Sequence, residues 1–140
     1  MTEIPASEAT QPLQDVLTIQ WGEARRELFM SFALLHDLSI AVPDLGDINQ
    51  LAVDAEQRLK VLNLVLVPRD ERGRAQTDET TETLGLRLKR LDAMLIIAWV
   101  QAHLYDFFLS ALEQSVAAAR PYGARMANIL PNLSGAGSPA

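Results

Sequence analysis

The chain has 140 residues, 49% hydrophobic and 21% charged, a globular composition sized for one domain. With no cysteine and only two histidines, His36 and His103, it cannot build disulfide scaffolds, thiolate zinc sites or iron–sulfur clusters, and it has no cysteine nucleophile. A net charge of -6 argues against a general nucleic-acid binder, which needs a basic surface to neutralise phosphates.

Residues 1–11 are polar, with two acids and no base, and read as an N-terminal arm rather than a secretory leader. Pro12 suits a first helical position, where its missing N–H costs nothing. A first helix is therefore expected from Pro12 to about Ala41, stopping before Pro43. Leu13, Leu17, Trp21, Ala24, Leu28, Phe32 and Leu35 recur at spacings of four and three, which is one helical face. From Leu28 to Leu35 the run is apolar almost all round, which calls for burial on more than one side.

Pro43–Gly46 reads as a turn. Asp47, with Gln50 three residues on, resembles a capping box opening a second helix. Ile48, Leu51, Ala52, Ala55, Leu59, Leu62 and Leu66 form its stripe, and Pro68 ends it. A rival assignment pairs VLNLVLV (Val61–Val67) as a strand with VLTIQW (Val16–Trp21). The helical assignment is preferred because two lone strands make a marginal sheet.

Residues 68–77 form a charged loop. Thr77 followed by Asp78, Glu79 and Glu82 marks a helix start, a hydroxyl cap with acids in the positive first turn. The third helix is expected over about 78–119, ended by Arg120 and Pro121. Along it, Leu84, Leu88, Leu91, Leu95, Ala98, Ala102, Tyr105, Leu109, Leu112, Val116 and Ala119 alternate spacings of four and three without a break. A second stripe, Met94, Ile97, Leu104, Phe108 and Ala111, widens the face beyond a two-stranded seam. Residues 78–119 would make a rod of about 60 Å. A compact chain of this size has a radius of gyration of roughly 14 Å. The rod outruns the globule, so apolar surface is left for another chain.

The expected fold is thus all-α: three helices with one long C-terminal helix and extended terminal arms. The expected organisation is an arm over 1–11, a helical domain over 12–120 and a tail over 121–140. The tail ends NLSGAGSPA and is expected to be flexible unless something holds it. No membrane span is expected: the most apolar run, Ala93–Tyr105, is too short and contains Gln101 and His103.

Chemistry finds little support. Glu23 and Glu27 are one turn apart on a helix, but no Glu-x-x-His accompanies them, and Arg25 and Arg26 make them a salt-bridged face. His103, Asp106 and Ser110 along one helix face lack the orthogonal geometry and oxyanion donors of a triad. Asp44, Asp47, Asn49 and Asp54 miss the calcium-loop pattern, since Leu51 and Ala52 occupy a ligand and the glycine position. The bases Arg69, Arg72, Arg74, Arg87, Lys89 and Arg90 are interleaved with acids, so they suit an acidic protein surface better than nucleic acid.

The charge is uneven. Residues 1–57 carry ten acids and two bases, and residues 58–140 eight acids and ten bases. The two halves could attract each other within or between subunits. The functional expectation is a non-enzymatic structural or assembly protein with no cofactor and no metal, cytoplasmic in location. It would act by helix-mediated self-association or by docking in a larger multi-protein complex. Helicity, acidity and terminal arms extend that expectation to a virion (bacteriophage) component. The alternative is a small acidic helical adaptor, chaperone or inhibitor binding one partner protein. The expected interface residues are Leu84, Leu88, Leu91, Leu95, Tyr105, Leu109, Leu112 and Val116.

Overall fold

A computed structural model describes residues 13–78, 80–123 and 125. The expected arm over 1–11 and all but the start of the 121–140 tail lie outside them. The chain divides into two units, Met1–Asp106 and Phe107–Ala140.

The first unit opens with a β-hairpin, strands β1 (Val16–Trp21) and β2 (Ala24–Phe29), paired antiparallel from Val16 opposite Phe29 to Trp21 opposite Ala24. This corrects the all-α expectation: the fold is mixed, predominantly helical with one small two-stranded sheet. It also corrects the expected helix from Pro12. Val16–Trp21 is a strand, but its partner is Ala24–Phe29, not Val61–Val67, which is helical up to Leu66.

The physical reason is Gly22. It sits at φ +65°, and with Glu23 it makes a two-residue turn that reverses the chain and would break a helix. Residues at a helical spacing of four or three then fall on a period of two. Ile19 and Leu28 are buried on the inner face, whereas Thr18, Arg25 and Glu27 are exposed. A lone hairpin is marginal in water. This one is anchored at both ends. On its inner face, Arg26 Nη2 donates to the carbonyl oxygen of Leu66 at 2.7 Å. Just before β1, the Gln14 carbonyl oxygen accepts from Trp99 Nε1 at 2.8 Å and lies 2.8 Å from His103 Nε2.

Helix α1 (Phe32–Ala41) follows at once, with the Ser31 hydroxyl accepting from the Leu34 N–H at 3.1 Å as its cap. It stops before Pro43, as expected. The expected second helix is two. Helix α2 (Leu45–Gln50) is capped by Asp44, and helix α3 (Ala55–Leu66) by Asp54, whose carboxylate accepts from the Gln57 N–H at 3.1 Å. Asp54 with Gln57 three residues later is the stronger helix start, and the turn at Leu51–Val53 frees Leu51 to be fully buried. The charged loop over 68–76 folds back on itself through a bridge between Arg69 and Ala75. It is tied to α1 by the Arg69–Asp37 ion pair at 2.9 Å.

The expected 78–119 helix is also divided. Thr81–Arg87 is a 3₁₀ segment, and helix α4 begins at Arg90 and runs to Ala119. Asp78, not Thr77, supplies the start signal: its carboxylate accepts from Thr80 Oγ1 at 2.7 Å, Thr80 N–H at 2.8 Å and Thr81 N–H at 3.2 Å. The Thr80 hydroxyl first, then the backbone N–H groups of Thr80 and Thr81, hold this carboxyl below the ordinary aspartate range. Gly85 seats the 3₁₀ segment on α3. Its N–H donates to Asn63 Oδ1 at 2.7 Å, and a Cβ there would come within 2.9 Å of both Leu59 Cδ1 and Leu62 Cβ.

The core of the first unit is built from all of these elements. Leu38, Val42, Ile48, Leu51, Val61, Ile96, Val100 and Leu104 are each fully buried. In the second unit the described residues are α4 from Phe107 to Ala119, the 3₁₀ turn Arg120–Tyr122, Gly123 and Arg125. Phe107 and Phe108 meet edge to face with ring centroids 5.7 Å apart.

Candidate interaction surface

Helix α4 has two faces of different fate. One carries Ile96, Ile97, Trp99, Val100, His103 and Leu104, all buried in the first unit. Trp99 and His103, one turn apart, meet edge to face at 5.4 Å and converge on the Gln14 carbonyl. A carbonyl oxygen only accepts, so His103 Nε2 is the donor in this contact. That nitrogen is thereby committed to a backbone contact, while Asp106 is exposed to solvent. His103 joins the core rather than forming the acid–base group weighed from the sequence.

The opposite face of α4 is apolar and uncovered. Leu91 is 68% exposed, Met94 60% and Leu95 51%, and Ala98 is exposed beside them. In the second unit, Leu109, Leu112 and Val116 are 49%, 59% and 55% exposed, on a stretch of helix that is exposed all round from Ala111 to Ala118. Single exposed leucines need no explanation, but a row of them does. Of the expected interface residues, Leu91 and Leu95 belong to the exposed row of the first unit, and Leu109, Leu112 and Val116 are exposed in the second. Tyr105 is half-buried, its hydroxyl bonded to Asn49 Oδ1. Leu84 and Leu88 lie before α4, are half-buried and do not extend the row.

Sequence reasoning missed a groove beside the row. It is about 420 Å³ in volume, with Leu51, Leu62, Met94 and Ile97 among its apolar walls and Gln101 at its side. Its lining residues include two cations, Arg58 and Arg90, and no carboxylate. Arg58 Nη1 also donates to the Ala52 carbonyl at 2.8 Å, which fixes the guanidinium at the turn between α2 and α3. The signal was hidden because the turn at Leu51–Val53 reads as continuous helix in the spacing of apolar residues.

Elsewhere, Trp21 at the hairpin end lies under two guanidinium groups, Arg26 at 5.4 Å and Arg87 at 4.7 Å from the ring centroid. Burial pushes the Arg26 guanidinium below its ordinary value. The Asp44 and Asp54 carboxylates serve as helix caps. Among the described residues no three His, Asp or Glu side chains gather as a metal cluster.

By length and composition alone, the segment Arg90–Tyr122 is long and apolar enough to cross a membrane, which the shorter run Ala93–Tyr105 is not. Against that, Ile96, Val100 and Leu104 in its N-terminal half are fully buried in the protein, and Asp92, Asp106 and Glu113 interrupt it. The chain matches no family model, no curated protein and no solved structure.

Proposed function

We propose that the protein is a non-enzymatic assembly protein that acts through the outward face of α4, which packs against another polypeptide and first against a second copy of itself. The observation that carries this is the face of α4 in the first unit, where Leu91, Met94 and Leu95 are each half exposed or more while Ile96, Ile97 and Val100 beside them are spent on the core. Fully burying a leucine is worth about 1.5–3 kcal/mol, so covering half of one contributes about 1 kcal/mol. Leu91, Met94 and Leu95 on each of two chains supply on the order of 6 kcal/mol, toward the lower end of the ~4–15 kcal/mol cost of association. A weak to moderate, concentration-dependent assembly follows.

Light scattering coupled to size exclusion tests it. Masses at integer multiples of 15.4 kDa that fall on dilution support the proposal. A single 15.4 kDa species over the whole concentration range contradicts it. A defined one-to-one complex with a different protein would instead favour the adaptor alternative.

A further inference from the structure

We infer that the groove between α3 and α4 binds a free medium-chain fatty acid, its carboxylate held by the guanidinium groups of Arg58 and Arg90 and its tail lying along the apolar wall. This goes beyond the assembly function proposed above and does not depend on it.

Every residue lining the groove belongs to the first unit. Along α4 the lining runs Arg90, Ala93, Met94, Ile97, Ala98 and Gln101, one stripe at helical spacing and roughly 16 Å long. From the other elements come Leu62 of α3 and Leu51 at the turn after α2, both buried. The walls are therefore largely apolar, and at about 420 Å³ the groove is sized for a small molecule. Met94, unbranched and polarizable, adapts its shape to an alkyl tail. The far end of the α4 stripe is bounded. There Gln101 Nε2 donates to the Ile48 carbonyl at 3.0 Å, which ties α4 to α2 and spends that amide. A groove bounded at one end takes the end of a tail rather than a helix lying through it.

Charge chooses the ligand. Two guanidinium groups border the groove and no carboxylate does. Among the described residues the ion pair formed is Arg69–Asp37, so neither Arg58 nor Arg90 is paired with an acid there. Asp54, close to Arg58 in sequence, spends its carboxylate on the Gln57 N–H. Arg58 Nη1 donates to the Ala52 carbonyl at 2.8 Å, which holds the guanidinium in place and leaves its other N–H groups for an acceptor. A guanidinium grips a carboxylate through two parallel N–H···O bonds. A neutral lipid would cover the walls and leave both cations unanswered. A phosphate dianion would answer the cations but costs more to bring out of water beside apolar walls. A single carboxylate on an alkyl tail meets both demands.

Decanoate is the probe, and decanol, with the same tail length and no charge, is its control. Calorimetry on dilute protein measures the binding, and side-chain methyl resonances locate it. The expected result is saturable decanoate binding about tenfold or more tighter than that of decanol, with shifts at Leu51, Leu62, Met94 and Ile97. Arg90 is exposed, so Arg90→Gln disturbs no core contact and should weaken decanoate about tenfold while leaving decanol unchanged. Arg58→Gln should do the same, with circular dichroism checking that loss of the bond to Ala52 leaves the chain folded. If that variant unfolds, Arg90→Gln decides. Arg72→Gln, exposed and outside the groove lining, controls for net charge and should bind as wild type does. No saturable binding, or equal affinity for decanoate and decanol, overturns the inference. So does a loss in Arg90→Gln no greater than in Arg72→Gln. Shifts confined to Leu91 and Leu95 also overturn it, placing the tail on the exposed row. Light scattering on the same samples reports self-association separately, so failure of one proposal is not mistaken for failure of the other.

Discussion

Replacing Leu95 by Asp distinguishes a face kept for a partner from a face kept for the core. Leu95 is 51% exposed, whereas Val100, on the other side of the same helix, is fully buried. On a lone chain the new carboxylate stays in water, and the cost is the difference in helix propensity, about 0.5 kcal/mol. Between two α4 helices the same carboxylate is desolvated with no cation on the seam, which costs several kcal/mol (~3) on each chain. The lost burial of the leucine removes about 1 kcal/mol more. Roughly 1.4 kcal/mol is a factor of ten in Kd, so a loss of about 4 kcal/mol on each of two chains weakens association by more than five orders of magnitude. Sedimentation velocity measures the association, and circular dichroism the fold. The expected outcome is a helical Leu95→Asp monomer at concentrations where the wild type associates. Val100→Asp, by contrast, should fail to fold. If Leu95→Asp unfolds like Val100→Asp, or associates like wild type, the division of α4 into a core face and a docking face is wrong.

Gly85→Ala should destabilise the fold by about 1–3 kcal/mol in urea titration, because the added methyl meets Leu62 Cβ, which is not the end of a flexible chain. Trp99→Phe removes the donor to the Gln14 carbonyl and should cost about 1 kcal/mol, with faster amide exchange at the start of β1 as its local signature. The folded-state pKa of Asp78 is depressed, so its support for the 3₁₀ segment is complete above the ordinary aspartate range and is lost as pH falls through the folded value. Amide shifts of Thr80 and Thr81 should therefore titrate together below the usual carboxylate midpoint, and Asp78→Asn should abolish that titration.

How much of this could be read from the sequence depends on where the competing periods lie. α4 is legible because its apolar residues keep a spacing of four and three over many turns, with no glycine or proline between Arg90 and Ala119 to interrupt them. Pro43 and Pro68 mark the ends of α1 and α3 to within two residues, since the residue before a proline disfavours the helical backbone. The hairpin is concealed because Leu17, Trp21, Ala24 and Leu28 satisfy a helical stripe, while Leu17, Ile19 and Trp21 satisfy a strand. Only Gly22 decides between them, by accepting a left-handed backbone. The break after Leu88 has no strong local signal, since it follows from Gly85 fitting against α3, a contact 22 residues distant. The groove with Arg58 and Arg90 depends on a turn and on residues from α3 and α4 meeting in space, which no one-dimensional spacing records.

Covalent footprinting of α4 as a function of protein concentration tests the central claim most directly. Side-chain labelling, read by mass spectrometry, should be high at Leu91, Met94 and Leu95 in dilute protein and should fall as concentration rises. Val53 should stay reactive and Ile96 protected throughout. Labelling of the Leu91–Leu95 face that stays at its dilute level while scattering reports a growing mass would mean that the copies meet elsewhere, and would contradict the account.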